Sequence, residues 1–220
     1  MTPAAEQVLA LKHDARPRHG LDVVYRIEPL LAGVGLILSA PLLLAAGVVI
    51  TLLARRTPLV RHTRVGWRGE TLPLLKLRTM WEPRQRWRAI FAIEDVSNSV
   101  PLDKSEGDER VTSRFAALCR RYSIDELPQL YHVLRRRMSL VGPRPITREE
   151  LEEHYGDSAR QVLELRPGLT GLWQVKGRNS LSYAQRRRLD LWFAGHASPG
   201  LYLRILWRTI PAVFKGSDAY

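Results

Sequence analysis

Apolar residues are concentrated in one unbroken run and alternate with polar ones elsewhere. Leu30 to Ala54 reads LLAGVGLILSAPLLLAAGVVITLLA and carries no charge. About 20 apolar residues suffice to span a bilayer, and no polar face is present that could meet water. The run therefore predicts a membrane-associated helix. Pro41, near its middle, predicts a break or kink, with Ser39 placed to satisfy a backbone group that the proline frees. Arg16, Arg18 and Arg26 precede the run, and Arg55, Arg56, Arg61, Arg64 and Arg68 follow it. Basic flanks stay on the cytoplasmic side. Two arrangements fit: a kinked span, or a helix that enters, bends at Pro41 and returns.

Beyond Arg55 the periodicity changes. GETLPLLKLRTM, from Gly69 to Met80, reads as an extended segment after a glycine turn. Lys76, Arg78 and Met80 alternate with Leu75, Leu77 and Thr79, the pattern of a half-buried strand. Lys76 and Arg78 then lie on a solvated face, unless they serve an anion. Trp81 to Glu109 is rich in Ser, Asp, Glu and Gly in its later part and reads as a loop. Val111–Arg121, Glu126–Met138, Glu149–Leu165, Ser182–Phe193 and Leu201–Phe214 read as helices. Arg135, Arg136 and Arg137 fall in the last turns of the second of these, where cations complement the helix dipole. Pro167 and Gly168 end the third. RPGLTGLWQVKGRN, from Arg166 to Asn179, reads as a turn-rich loop. In the last helix Leu203, Leu206, Trp207, Ile210 and Phe214 share a side, with Arg204 and Arg208 elsewhere. Such a helix lies on a membrane surface or packs on the core.

Composition narrows the partners. The 220 residues suit one domain with attachments, and the formal charge of +12 points to an anionic partner. Cys119 is the single cysteine, so no internal disulfide forms, and it reads as a small core hydrophobe. The first twenty residues are polar and lack a signal-peptide pattern. No repeat, Cys-His metal spacing, Walker loop or Ser-His-Asp spacing is present. Nor is there a recognition helix or aromatic stacking motif for nucleic acid.

The densest candidate chemistry is SIDELPQLYHVLRRRMSLVGPRP, from Ser123 to Pro145. Asp125 and Glu126 stand side by side after Arg120 and Arg121. Ser123 with Glu126 fits a capping box, and Asp125 alone fits a helix N-cap with Pro128 in the first turn. The same geometry allows chemistry. At a helix start two adjacent carboxylates can approach one ligand, hold Mg²⁺ and leave sites for phosphate oxygens. A carboxylate can also attack phosphorus. Arg144, fixed between Pro143 and Pro145, is suited to clamp a phosphate bidentately.

Taken in order, these stretches resemble the bacterial sugar transferase family, the monotopic phosphoglycosyl transferases acting on polyprenyl phosphate. The resemblance runs from about Arg26 to Tyr220. It rests on the proline-broken apolar run, RVGWRGETLPLLKLRTM, DERVTSRF, RRYSIDELPQLYHVLRRRMSLVGPRP, RPGLTGLWQVKGRN and FKGSDAY. It implies transfer of a sugar 1-phosphate from a UDP-sugar to undecaprenyl phosphate, releasing UMP and initiating a surface glycan or exopolysaccharide. It further implies Mg²⁺, a covalent phosphosugar on Asp125, and Glu126 as a second metal ligand. Lys76, Arg120 and Arg144 match the family's phosphate-binding positions, and Arg78 beside Lys76 joins them as a candidate. Thr170, Gln174 and Arg178 are candidates for the donor side. The implied fold is mostly α with a small β element. A re-entrant membrane hairpin over residues 26–56, bent at Ser39 and Pro41, follows a polar segment, 1–25. An α/β catalytic domain, 57–220, bears amphipathic interfacial helices on the cytoplasmic face of the inner membrane. Membrane lipid is an implied partner, nucleic acid is not, and a homodimer is compatible. Several positions depart from the pattern. Ala40 separates Ser39 from Pro41, Glu28 stands where an Asp is usual, His132 and Arg136 replace an Asn and a Gly, and a glycine before Phe115 is missing. The stretch from Trp81 to Glu109 is long.

Overall fold

The computed structural model describes residues 20–81, 92–97, 113–177 and 181–215. One helix organises them. α1 spans Leu21–Ala54, about 50 Å if straight. Pro29 and Pro41 both lie inside it, and helical conformation continues through each. Pro41 has no N–H to give to the Ile37 carbonyl. The Ser39 hydroxyl donates to the Leu36 carbonyl at 3.3 Å, one residue short of the group that Pro41 leaves over.

α1 has two apolar sides with different surroundings. Leu21, Glu28, Ala32, Ala46, Ile50 and Ala54 are buried, and their spacing keeps them on one face. Leu36 and Leu43, on either side of Pro41, pack partly buried against the domain. Ile27, Leu30, Ile37, Leu38, Leu44, Val48 and Leu52 are exposed. Among the described residues α1 is the one helix long and apolar enough to cross a membrane. Its buried face enters three core clusters. Leu21 packs with Phe193, Tyr202 and Ile205. Ala32 packs with Leu72, Leu74, Leu130, Val133 and Met138. Ala46, Ile50 and Ala54 pack with Leu77, Trp81 and Ala116.

A small sheet lies against this helix. β1 (Leu59–Val65) pairs antiparallel with β2 (Thr71–Leu77) around a 3-10 turn at Trp67–Gly69, and β3 (Glu94–Asp95) runs parallel along the other edge of β1. On β2, Leu72, Leu74 and Lys76 share one side. Lys76 and the following Arg78 are buried with the two leucines, so the solvated face expected for them does not exist. Most of the stretch from Trp81 to Glu109 lies outside the described residues.

α2 (Arg114–Arg121) begins with the Ser113 side chain accepting from the Ala116 N–H. A 3-10 helix at Ile124–Gln129 leads into the short α3 (Leu130–Leu134). The expected helix to Met138 is therefore shorter and starts as 3-10, with Pro128 inside that segment and unable to donate to an i−4 carbonyl. Arg135 to Arg137 lie beyond it, in a turn where Arg136 takes φ +59° and the N–H groups of Arg137 and Met138 both donate to the His132 carbonyl. β4 (Ser139–Val141) follows.

The expected third helix is also interrupted. A capping box of Thr147 and Glu150 starts α4 (Arg148–Glu150). A π turn at Leu151–Tyr155 and a 3-10 turn at Gly156–Ser158 separate it from α5 (Ala159–Leu163). The stretch read as a loop folds instead into β5 (Gly168–Thr170), parallel to β4, and α6 (Leu172–Lys176). Backbone pairing overrides its turn-rich composition.

α7 (Tyr183–His196) and α8 (Pro199–Lys215) complete the fold. α8 packs on the core along one side and leaves a second apolar side exposed. Tyr202 and Ile205 are buried in the core, and Thr209 meets Thr170 at 3.0 Å. Leu203, Trp207, Ile210 and Phe214 form an exposed apolar stripe, and Leu206 packs partly buried on the core side rather than with them.

The backbones of β4 and β5 approach so closely that their glycines are obligatory. A Cβ on Gly142 would lie 2.3 Å from the Arg166 carbonyl oxygen and 2.8 Å from the Gly168 nitrogen, all backbone atoms. Gly142→Ala is expected to cost about 3 kcal/mol or to prevent folding, through overpacking against rigid main chain. Thermal melts of the purified variant check this, and a melting temperature equal to that of the parent chain contradicts it.

Candidate active site

The site begins where α2 ends. Ser123 takes the left-handed conformation, φ +56°, which costs a residue with a side chain about 1–2 kcal/mol. That reversal launches the 3-10 helix, with Asp125 and Glu126 as its second and third residues. Ser123 is the N-cap but makes no side-chain cap bond. The Glu126 N–H donates to its backbone oxygen at 3.1 Å instead. Neither the capping box nor the Asp125 cap forms, so the pair is not accounted for as helix punctuation. Strain in front of buried carboxylates is the kind that function maintains.

The pair is withdrawn from water and answered by a cation. Asp125 is 4% exposed. Lys76 Nζ donates to Glu126 Oε1 at 2.9 Å, with the two side chains 10% and 13% exposed. Removing one partner from a pair this buried strands the other charge in a poor solvent, unlike the loss of a surface pair. Cys119 shows where the Asp125 charge reaches. Burial first, and that carboxylate second, push its thiol up to about 11. Cys119 stays protonated in the core, as its sequence position implied. Arg120 is buried on the last turn of α2. Its Nε is buried without a hydrogen-bond partner, and its carbonyl accepts from the Ser123 N–H at 3.1 Å.

His132 holds this arrangement together, a role that its sequence position did not signal. The Leu75 N–H donates to His132 Nε2 at 3.2 Å, joining β2 to α3 one residue before Lys76. Burial, then Arg137, lower its pKa to about 4. The ring is neutral, with Nε2 as the acceptor.

The other candidate residues are placed differently. Arg78 donates from Nε to the Thr57 carbonyl at 2.9 Å and pairs with Glu94 at 2.6 Å. Arg56 shares the same carboxylate at 3.3 Å. Arg78 thus braces the edge strand β3. Arg144 sits in a loop held by three backbone bonds: Gly142 N–H to Thr170 O, Gly168 N–H to Pro143 O, and Val65 N–H to Ile146 O. Its guanidinium lies 5.7 Å from the Trp173 ring, whose other cation neighbour is Arg186 at 4.9 Å. This second group includes Asp190, which sequence reading did not single out. Burial raises the Asp190 carboxyl to about 8, opposed by the Tyr155 hydroxyl, which donates to it at 3.1 Å, and by Arg144. Arg64 is lowered to about 10 by burial, with Glu150 and Arg144 among its charged neighbours. Thr170 is occupied by Thr209. Gln174 donates to the Leu169 carbonyl at 3.3 Å. Arg178 lies outside the described residues.

Among the described residues no three His, Cys, Asp or Glu side chains converge as a metal cage. What the corner offers a cation is two adjacent carboxylates. Mg²⁺ characteristically takes one or two, keeping its remaining positions for water and phosphate, so the residues fit that ion.

Neutral His132 makes a pH prediction. Its folded pKa of about 4 lies below the ordinary 6.5, and His62 is lowered to about 4 chiefly by burial and Lys76. The unfolded chain binds these protons first, so the stability is complete above about 6.5 and is lost as pH falls toward about 4. Melting temperatures measured across that window should fall with acid. His132→Gln should flatten part of the slope, and an unchanged slope in that variant refutes the assignment.

Comparisons with known proteins place the chain in a family. The family model described as bacterial sugar transferase matches residues 23–216. The chain is 38% identical over 196 residues to the exopolysaccharide production protein ExoY of Rhizobium meliloti (strain 1021), covering 88% of this chain and 86% of that protein. It is 36% identical over 213 residues to a UDP-glucose:undecaprenyl-phosphate glucose-1-phosphate transferase of Caulobacter vibrioides, covering 93% and 74%. A UDP-galactose-lipid carrier transferase of Erwinia amylovora is 38% identical over 198 residues, which is 85% of this chain but 40% of that longer protein.

Proposed function

Because the chain belongs to the bacterial sugar transferase family, we propose that it is a phosphoglycosyl transferase working at the cytoplasmic membrane face. It moves a sugar 1-phosphate from a UDP-sugar to undecaprenyl phosphate as the first step of exopolysaccharide synthesis. The observation that carries this reading is the Asp125–Glu126 pair, with Asp125 buried and Glu126 ion-paired to Lys76, one short helix away from the apolar α1.

The reaction divides into two displacements at one phosphorus. A carboxylate oxygen of Asp125 attacks the phosphorus that bears the sugar, and the bond to the uridine-side phosphate breaks, releasing UMP. The phosphate oxygen of the polyprenyl acceptor then attacks the same phosphorus. The acyl-phosphate bond breaks, the carboxylate is restored, and polyprenyl diphosphate sugar leaves. One anion pocket serves both steps, since donor and acceptor visit it in turn.

Each residue has a role set by charge. Lys76 exchanges Glu126 for a phosphate oxygen as substrate enters, and Arg120 and Arg144 offset the anionic charge that builds there. Asp125 and Glu126 would hold Mg²⁺, which when bound screens the diphosphate from the attacking carboxylate. Arg78, already paired with Glu94, contributes to the field and to the position of Lys76 rather than as a direct ligand.

Packing supports a re-entrant membrane arrangement. Residues on both sides of Pro41 lie against one domain, which a helix carrying its two ends to opposite faces of a bilayer could not easily combine with a water-soluble domain. A re-entrant path, bent at Pro41, keeps both basic flanks in the cytoplasm. Lipid meets the exposed side of α1 and the Leu203, Trp207, Ile210 and Phe214 stripe of α8.

Asp125→Asn is expected to lower UMP release by at least about a thousandfold while the protein stays folded. A UDP-sugar panel with Mg²⁺ and undecaprenyl phosphate, read by UMP, measures this. Intact-mass spectrometry with donor alone should show the sugar phosphate added to the parent chain and not to the variant. Undiminished turnover by Asp125→Asn refutes the nucleophile.

A further inference from the structure

Glu28 is the charged residue most deeply buried in α1, and it stands immediately before the uncharged run that continues to Ala54. It is 1% exposed. Its Oε1 accepts from three donors: the Ser139 hydroxyl, the Leu140 N–H at 2.7 Å and the Tyr202 hydroxyl. Ser139 and Leu140 belong to β4, and Tyr202 belongs to α8. One oxygen therefore fastens three elements that are remote in sequence. Arg166 lies close enough to feel the Glu28 charge and sits 4.8 Å from the Tyr25 ring on the same helix. A carboxylate so placed costs a great deal to bury, and the three donors offset that cost at Oε1 while Oε2 is buried without a hydrogen-bond partner.

What β4 carries next explains the expense. Val141 is followed directly by Gly142, Pro143, Arg144 and Pro145. The segment is pinned on its far side by β5, through Ser139 N–H to Pro167 O at 2.9 Å and Gly142 N–H to Thr170 O at 2.9 Å. Neither Gly142 nor Gly168 has space for a side chain at this crossing. β4 is three residues long, too short to hold its own position through ladder bonds alone. Glu28 supplies the other half of the clamp, from the membrane helix.

We infer that Glu28 is a positioning residue: it registers the loop bearing Arg144 against the membrane helix, so that the anion-binding arginine sits correctly only when that helix is docked. The loop part of this inference stands on the hydrogen bonds above, and the catalytic part rests on the reaction proposed for the chain. Tyr202 and Ser139 share the task, because each gives a donor to the same oxygen. The reacting atoms are not touched by any of the three.

The test uses the full-length protein in lipid-detergent micelles, with two variants. Glu28→Ala strands three donors, and Tyr202→Phe removes one donor without leaving a large hole. Hydrogen exchange by mass spectrometry should show peptides covering residues 139–142 exchanging about tenfold faster in Glu28→Ala and less so in Tyr202→Phe, with β2 and α2 peptides unchanged. Steady-state kinetics of Tyr202→Phe should show the KM for the UDP-sugar raised about threefold or more with a smaller change in kcat. Unchanged exchange at residues 139–142 overturns the clamp, and so does acceleration spread evenly over the chain. Local acceleration with an unaltered donor KM overturns the link to Arg144. If the parent chain releases UMP from no donor, the proposed reaction fails, and the exchange data still decide the clamp.

Discussion

Burying two adjacent carboxylates is tolerable only where a cation meets them, and the rest of the site is arranged around that requirement. Lys76 reaches Glu126 at 2.9 Å with both side chains nearly out of solvent. For this the lysine must leave β2 on the core side, behind Leu72 and Leu74. The strand is held to that register by β1 and by neutral His132, which accepts from the Leu75 N–H. A charged imidazole there would lose the acceptor and place a second cation near Arg137. Neutral His132 thus fixes the strand register from which Lys76 reaches the acidic pair.

On the proposed reading α1 is subject to a second constraint, because it must satisfy two solvents. Its buried stripe enters three protein cores, and from Leu30 to Ala54 its exposed surface carries no charge. A helix that merely anchored a soluble domain would have no need of that stripe or of Glu28. α1 instead forms a wall of the domain, touching Leu130 and Val133 of α3 just after the acidic pair. The placement of α1 and the site geometry are then mechanically connected, since moving α1 moves the elements that Glu28 and Ala32 hold.

Much of this was legible in the sequence, and the misses have physical reasons. The apolar run, the β2 segment, and helices α2, α7 and α8 follow from hydrophobic periodicity, which reports burial directly. The family resemblance, carried by motifs in order, is matched by the comparison over residues 23–216. Periodicity failed where polar residues are buried. The solvated face, one of two readings open for Lys76 and Arg78, equated charge with exposure, when each has an acidic partner that only the fold supplies. Periodicity also read Arg166 to Asn179 as a loop, since glycines required by the close crossing of β4 and β5 look the same as turn glycines. Asp190 and Tyr155 meet across 35 positions of sequence, and no local pattern announces such a pair. Arg78 and Thr170 were sensible candidates by residue type, but type does not reveal that Glu94 and Thr209 already engage them.

The arginines left exposed complete the electrostatic account. The chain has 34 Lys and Arg against 22 Asp and Glu, and the excess is not spread evenly. Arg135, Arg136 and Arg137 are exposed immediately after α3, where Leu134 lies 3.7 Å from the position a Cβ on Gly33 of α1 would take. Arg136 is felt by Arg166, which also feels Tyr25, Glu28 and Asp22 of α1. Arg204 and Arg208 are exposed on α8, between members of its apolar stripe. Cations so close to apolar surface are costly in a water-facing interior but favourable against anionic headgroups, at about 1 kcal/mol for each near the surface. On the proposed reading every small substrate of the enzyme is also an anion, one dissolved and one fixed in the membrane. A basic rim around the apolar face then does two things at once. It holds the protein at the depth where Asp125 can meet a lipid phosphate, and it raises the local concentration of the nucleotide sugar, an effect that salt would screen at the exposed rim more than at the buried Lys76–Glu126 pair.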